Sequence, residues 1–244
     1  MKNNYSDEIM KLKELLHNAN HAVFFGGAGV STESGIPDFR GDGGMYNSSQ
    51  IDNPEYMLSR TCLEEEPEKF FKFFRTQMAY KNAKPNSAHL ALAQLEAKGL
   101  IKSVITQNID GLHQKAGSKK VIELHGTTKR CYCDVCGEVF DSDIIWNSNN
   151  FPICEACDGL IRPDIVLYEE CLDDEKWINA VKEIKEADLL IVGGSSLVVN
   201  PAASLISAFS GKHLVIVNYS PTPYDSHADI IIRESIGKVL NSIL

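Results

Sequence analysis

Two pairs of cysteines, Cys133-Asp-Val-Cys136 and Cys154-Glu-Ala-Cys157, stand seventeen residues apart in a chain of 244 residues. Each pair closes a turn in which two sulfurs face one point, and two such turns at this separation can share a single tetrahedral ion. That requirement constrains the fold strongly, because it makes the chain double back on itself within residues 126–162. Four thiolates leave no open coordination position, so the ion expected on Cys133, Cys136, Cys154 and Cys157 is a structural Zn2+. A redox-active dithiol is the alternative reading of a Cys-x-x-Cys pair. Cys131 lies in a Cys-x-Cys spacing, poorer for sharing an ion, and with Cys62 and Cys171 is read as a plain thiol. Seven cysteines are an odd number, and no apolar signal segment opens the chain, so a disulfide framework is not expected.

Around the cysteine stretch the pattern alternates between helix and strand. Ser6 is the expected N-cap of a first helix with Ile9, Leu12, Leu15 and Leu16 on one stripe. Short apolar strands are expected at 21–25, 101–106, 189–192 and 213–217, with a last edge strand at 230–232 before a closing helix. Helices are expected at 67–80, with the cluster Phe70, Phe71, Phe73 and Phe74, at 87–98 closed by Gly99, around Trp177, Val181 and Ile184, and from about Pro201. Short apolar strands separated by helices imply an α/β fold, a Rossmann-like doubly wound parallel sheet covered on both faces. The cysteine stretch then becomes a small zinc-ribbon module, about 126–162, inserted into a larger part made of about 1–125 and 163–244.

In such a sheet, ligands bind beyond the carboxyl ends of the strands. Residues 26–40, Gly-Gly-Ala-Gly-Val-Ser-Thr-Glu-Ser-Gly-Ile-Pro-Asp-Phe-Arg, follow the first strand there. Glycines after a strand turn backbone N–H groups toward an anion, so the loop suits a phosphorylated ligand; a ligand-free strand-to-helix turn is the plain alternative. Gln107, Asn108 and Asp110 follow the second strand, and Ser195, Ser196 and Asn218 follow later ones. Net charge is −9, from 24 basic and 33 acidic residues, with no basic block of the kind that nucleic acid or an anionic membrane selects. No run approaches the ~18 apolar residues of a membrane span, and a cytoplasmic protein is expected.

Several motifs in order carry a resemblance that spans nearly the whole chain. They are Gly27-Ala28-Gly29-Val30-Ser31 through Gly35-Ile36-Pro37-Asp38-Phe39-Arg40, Thr106-Gln107-Asn108-Ile109-Asp110-Gly111-Leu112-His113, and Glu123-Leu124-His125-Gly126. The four cysteines, Arg162-Pro163-Asp164-Ile165-Val166, and Gly194-Ser195-Ser196-Leu197 with Pro201-Ala202-Ala203 complete the set. Through them the chain resembles the sirtuins, the Sir2 family of NAD-dependent protein-lysine deacylases, in a bacterial-type form. The resemblance implies that NAD is consumed, its ADP-ribose taking the acyl group of an acyl-lysine substrate to give nicotinamide, lysine and 2′-O-acetyl-ADP-ribose.

The resemblance also implies roles. Ala28 and Thr32 would line the phosphate loop, with Phe39 and Arg40 over the diphosphate and the nicotinamide ribose. Gln107 and the catalytic Asn108 would contact that ribose and an ordered water, and Ile109 and Asp110 the nicotinamide carboxamide. Ser195, Ser196, Asn218 and the backbone near Ile236 would hold the adenosine half. His125 would be the general base on a ribose hydroxyl, work that suits an imidazole titrating near neutral pH. Ile165, Val166 and Tyr168 would line the acyl-lysine tunnel. Sirtuins that prefer acidic acyl groups carry a Tyr-x-x-Arg pair where an ungapped alignment here gives Phe71 and Phe74, which implies a neutral acyl group. The chain departs from the family in two places: Tyr168-Glu169-Glu170 stands where Phe-Gly-Glu is common, and Ser195 where Thr is commoner. Two rival readings are an ADP-ribosyltransferase or NAD hydrolase of the same fold, and a non-enzymatic zinc-ribbon interaction module.

Overall fold

The computed structural model describes residues 5–39, 44, 53–78 and 80–244. Six parallel strands form the main sheet: β1 (Ala22–Gly26), β2 (Ser103–Thr106), β3 (Val121–Glu123), then β7 (Leu189–Gly193), β8 (His213–Val217) and β9 (Ile230–Ile232). Their order is β3-β2-β1-β7-β8-β9. Every residue of β1 and β7 is buried. Alternate side chains go to opposite faces. Ala22, Phe24, Leu189 and Ile191 join one core with α1 (Ser6–Asn18), α5 (Ser87–Ala97) and α9 (Ile236–Ser242). Val23, Phe25, Leu190 and Val192 join the other, with α8 (Asp174–Glu186) and the 3-10 helix Ala202–Ala208. Two covered faces explain why these strands read as unbroken apolar runs.

A second sheet of three antiparallel strands, β4 (Gly126–Cys133), β5 (Val139–Asp141) and β6 (Ile161–Ile165), lies between β3 and β7 in sequence, in the order β5-β4-β6. It packs with α7 (Asp143–Trp146) and with α3 (Arg60–Glu65) and α4 (Pro67–Gln77) in a third core, which contains Phe70, Phe71, Phe73, Phe74, Cys131 and Ile161. The Phe cluster expected in α4 is therefore the floor of the ribbon's core. The packing partner of the ribbon is a helical pair that ends at Gln77, 49 residues before Gly126 opens β4, which local pattern does not signal.

Several boundaries differ from the sequence expectation. Ser6 is the first helical residue of α1 and Tyr5 its cap, with no side-chain bond; Asp7 and Glu8 in the first turn are well placed against the helix dipole. β2 begins at Ser103 because the N–H groups of Leu100 and Ile101 turn back to Leu95 O and close α5, with Gly99 at φ 75°. The helix expected from Pro201 is the 3-10 segment Ala202–Ala208. α4 ends at Gln77, short of Tyr80. β6 runs to Ile165, so the ribbon's sheet continues past residue 162.

Candidate active site and metal centre

The chain leaves β1 toward β2 on one side and meets β7 on the other, with Gly26 paired to Gly193 at their carboxyl ends. Strand order reverses there, and loops leaving two adjacent strands diverge to open a crevice. Residues 27–35 form its first wall through two 3-10 turns, Ala28–Val30 and Thr32–Ser34. Gly29 donates its N–H to Gly194 O at 2.8 Å. A Cβ on Gly29 would stand 2.8 Å from the Gly194 Cα, and one on Gly194, whose φ is 58°, 2.4 Å from Val30 N. Only glycines let these two loops press backbone to backbone.

Behind the loop runs a hydrogen-bonded chain of polar side chains. Ser31 Oγ donates to Asp110 Oδ2 at 2.7 Å and accepts from Asn108 Nδ2 at 3.0 Å. His89 Nε2 stands 3.5 Å from the same Oγ, while Asn86 N–H donates to His89 Nδ1 at 3.3 Å. Asn86 Oδ1, an acceptor, stands 3.0 Å from the same Nδ1; burial holds this imidazole's pKa below its ordinary value. Asn86 also caps α5, accepting from Ala88 N and His89 N, and donates to Val30 O at 2.8 Å. One asparagine therefore ties the start of a helix to the glycine loop.

His125 follows β3, and its Nδ1 donates to Gln107 O at 2.9 Å. A carbonyl accepts only, so Nδ1 carries the proton and Nε2 keeps its lone pair. Burial pulls the His125 pKa below the ordinary imidazole value, against the opposing pull of that hydrogen bond. His125 O in turn accepts from Val166 N at 2.9 Å, fixing the histidine to the segment after β6.

A cavity of about 290 Å³ joins these parts. Ala28, Phe39, Gln107, Asn108, Ile109 and Asp110 line it together with His125, Ile165, Val166 and Tyr168. Thr32, Ser195, Ser196, Asn218 and Ile236 are not in its wall. Thr32 Oγ1 donates to Gly29 O, Ser195 Oγ accepts from Gln107 Nε2 at 3.1 Å, and Asn218 Nδ2 donates to Ser220 O. The Ile236 side chain is in the core, 4% exposed, which leaves only backbone for a ligand. Arg40 lies outside the described residues. Sequence reasoning missed Met78, Tyr80 and Trp146 in the wall; the first two come from the segment after α4 and the third from α7, and only tertiary packing gathers them. Ser31 stood inside a recognised motif without a role. Phe71 and Phe74 are buried outside the wall, and Phe74 stacks on Trp146 at 5.2 Å between centroids.

The four cysteines converge as their spacing requires. Their sulfurs all lie within 4.8 Å of one another, with Cys133 to Cys157 at 3.4 Å and Cys136 to Cys154 at 3.8 Å. Sulfurs about 2.3 Å from one tetrahedral ion stand about 3.8 Å apart, so this set fits Zn2+. A Cβ on Gly159 would meet Cys133 Sγ at 2.7 Å, so the second knuckle approaches the first only with glycine there. Cys62, Cys131 and Cys171 stand apart as free thiols, Cys131 pushed by burial up to about 12.

Residues 27–201 match the model of the Sir2 family. A protein of Clostridium perfringens named NAD-dependent protein deacetylase is 52% identical over 241 residues, covering 98% of this chain and 99% of its own. One of the same name from Cutibacterium acnes is 50% identical over 236 residues, covering 96% of each. Among solved structures, a Sir2 complex with a p53 peptide and NAD+ superposes with a TM-score of 0.87 at 42% identity over 96% of both chains. A Sir2 histidine-to-alanine variant with deacetylated p53 peptide and 3′-O-acetyl ADP ribose superposes with a TM-score of 0.90 at 41% identity, again over 96% of both.

Proposed function

The chain belongs to the Sir2 family, and from that premise we propose that it is an NAD-dependent protein-lysine deacetylase with His125 as its general base. NAD is a substrate of this reaction: its ADP-ribose accepts the acetyl group of an acetyl-lysine peptide, and nicotinamide and 2′-O-acetyl-ADP-ribose leave. The observation that carries the reading is the state of His125. Its Nδ1 proton is held by Gln107 O, so Nε2 keeps a lone pair to take a proton, on a residue that lines the cavity with Asn108 and Ile165. A neutral imidazole is the competent base, and burial keeps this one neutral below the pH at which a free histidine would protonate.

The other residues serve that proton transfer. Asp110, oriented by the Ser31 hydroxyl, and Ile109 receive the carboxamide of nicotinamide; Asn108 and Gln107 hold the adjoining ribose. Phe39 and Arg40 cover the diphosphate, Ala28 and Thr32 border it, and Ser195, Ser196, Asn218 and the Ile236 backbone take the adenosine half. Ile165, Val166 and Tyr168 enclose the acyl-lysine, whose neutral chain needs only apolar walls. Zn2+ holds the knuckles of Cys133, Cys136, Cys154 and Cys157 and takes no part in the chemistry. Among the described residues no helix is long and apolar enough to cross a membrane, and the protein works in the cytoplasm.

Incubation with NAD and an acetyl-lysine peptide tests the reading, with O-acetyl-ADP-ribose and nicotinamide quantified by mass spectrometry. His125→Ala is expected to keep its fold and NAD affinity while losing about 10²–10⁴-fold in turnover. ADP-ribose appearing with no acylated product would favour NAD hydrolysis or ADP-ribosyl transfer instead. Full turnover in His125→Ala would refute the assigned base.

A further inference from the structure

Glu169 stands in the wall of the cavity with a φ of 75°, a left-handed conformation disfavoured for a residue that carries a Cβ. Such a residue persists where its surroundings over-determine it. Before it, Tyr168 N–H donates to Leu58 O at 3.0 Å and Tyr168 O accepts from Arg60 N at 3.1 Å. After it, the Glu170 carboxylate accepts from both terminal nitrogens of Arg162, at 2.5 and 2.8 Å, and from Leu167 N at 2.8 Å. Arg162 is 1% exposed. Asp134, inside the first cysteine knuckle, grips Arg60 at 2.9 and 2.5 Å and lies 3.7 Å from Arg162.

Glu169 itself closes the bend. Its Oε2 accepts from Thr61 N at 2.9 Å and from Thr61 Oγ1 at 2.8 Å, in the first turn of α3. Glycine, the residue common here among the sirtuins, takes both signs of φ and has no side chain to reach α3. We propose that Glu169 is a positioning residue for the acyl-peptide: its bond to Thr61 holds the strip 165–168 in one orientation, so that the substrate meets a preorganised wall. This rests on the reading of the cavity as the acyl-lysine site.

Preorganisation acts on the affinity of the group that docks there and leaves the chemical step alone. Glu169→Gly is expected to raise the KM for acetyl-peptide about fivefold, with kcat within about twofold of wild type. The KM for NAD stays at its wild-type value. Glu169→Gln, which keeps an oxygen acceptor for Thr61, stays within about twofold of wild type in peptide KM. Thr61→Val, with the hydroxyl gone and the N–H kept, falls between the two. A residue that only stabilised the fold would shift the melting temperature without this split. An unchanged peptide KM in Glu169→Gly, or Glu169→Gln behaving like Glu169→Gly, overturns the proposal while leaving the deacetylase reading intact. No turnover by the wild-type protein overturns that reading, and this one with it.

Discussion

Among the described residues neither ring nitrogen of His113 has a hydrogen-bond partner, although the residue is 1% exposed. Burial, with a smaller contribution from His89 whose ring lies 4.7 Å away edge-on, pushes its pKa down to about 3. The unfolded chain binds a proton near pH 6.5 that the folded one refuses, so stability falls as pH drops below about 6.5 toward 3. Between pH 7 and pH 5 this group alone removes about 2 kcal/mol. His113→Leu deletes the titration and the two unpaired nitrogens together. Urea denaturation at both pH values is expected to show the variant losing about 2 kcal/mol less than wild type; equal losses would refute the assignment. This residue illustrates where motif reading stops. His125 was legible in Glu-Leu-His-Gly, but the lone pair on its Nε2 depends on the carbonyl of Gln107, and nothing in the sequence separates a buried, unpartnered His113 from an exposed one.

The ribbon is the element most fully announced by the sequence, because two Cys-x-x-Cys turns can satisfy one ion in only a few ways. Its neighbours were not announced. α3 and α4 share its core, and Asp134 links its first knuckle to Arg60 at the head of α3. A metal that closes β4, β5 and β6 therefore also supports Met78 and Trp146 in the cavity wall. Structural Zn2+ contributes folding free energy of order 10 kcal/mol. Stripping it with a strong chelator is expected to release one ion per chain and expose the four thiols. Tryptophan emission from Trp146 should shift to the red, and deacetylation should fall by more than about tenfold until zinc is restored. Full activity in protein shown by elemental analysis to be metal-free would overturn this. Element boundaries were the least legible feature: Ser6 proved to be a helical residue, β2 started late and the segment after Pro201 wound as a 3-10 helix. These depend on backbone hydrogen bonds, such as those closing α5 onto Leu95, that residue type alone does not choose.

At the scale of the molecule, the cavity wall draws residues from the segments after β1, β2, β3 and β6 and from α7. Phe74 backs Trp146, Phe71 is buried in the same core, and neither presents a cation to the wall. Lys81 and Lys129 both line the wall, and Lys81 already faces Asp143 at 3.8 Å and the Trp146 ring at 5.4 Å. A succinyl carboxylate would lose hydration there, and no arginine of the described residues lines the wall to receive it in a fork. Turnover of an acetyl-peptide is expected to exceed that of its succinyl twin by about tenfold or more in kcat/KM, and the reverse order would sink the prediction. The sequence by itself determined the parallel sheet, the glycine turn after the first strand and the zinc knuckles, and through its family resemblance it offered His125 as the proposed base. The first three follow from local spacing, from residues that must act within one turn or one strand. The tertiary structure alone decided that Ser31, His89 and Asn86 form one chain behind Asp110, that helices upstream complete the ribbon, and that Glu169 reaches Thr61. The contacts of Ser31 with His89 and Asp110 and of Glu169 with Thr61 join residues between 58 and 108 positions apart, and over such separations the partner is chosen by packing, which no local pattern encodes.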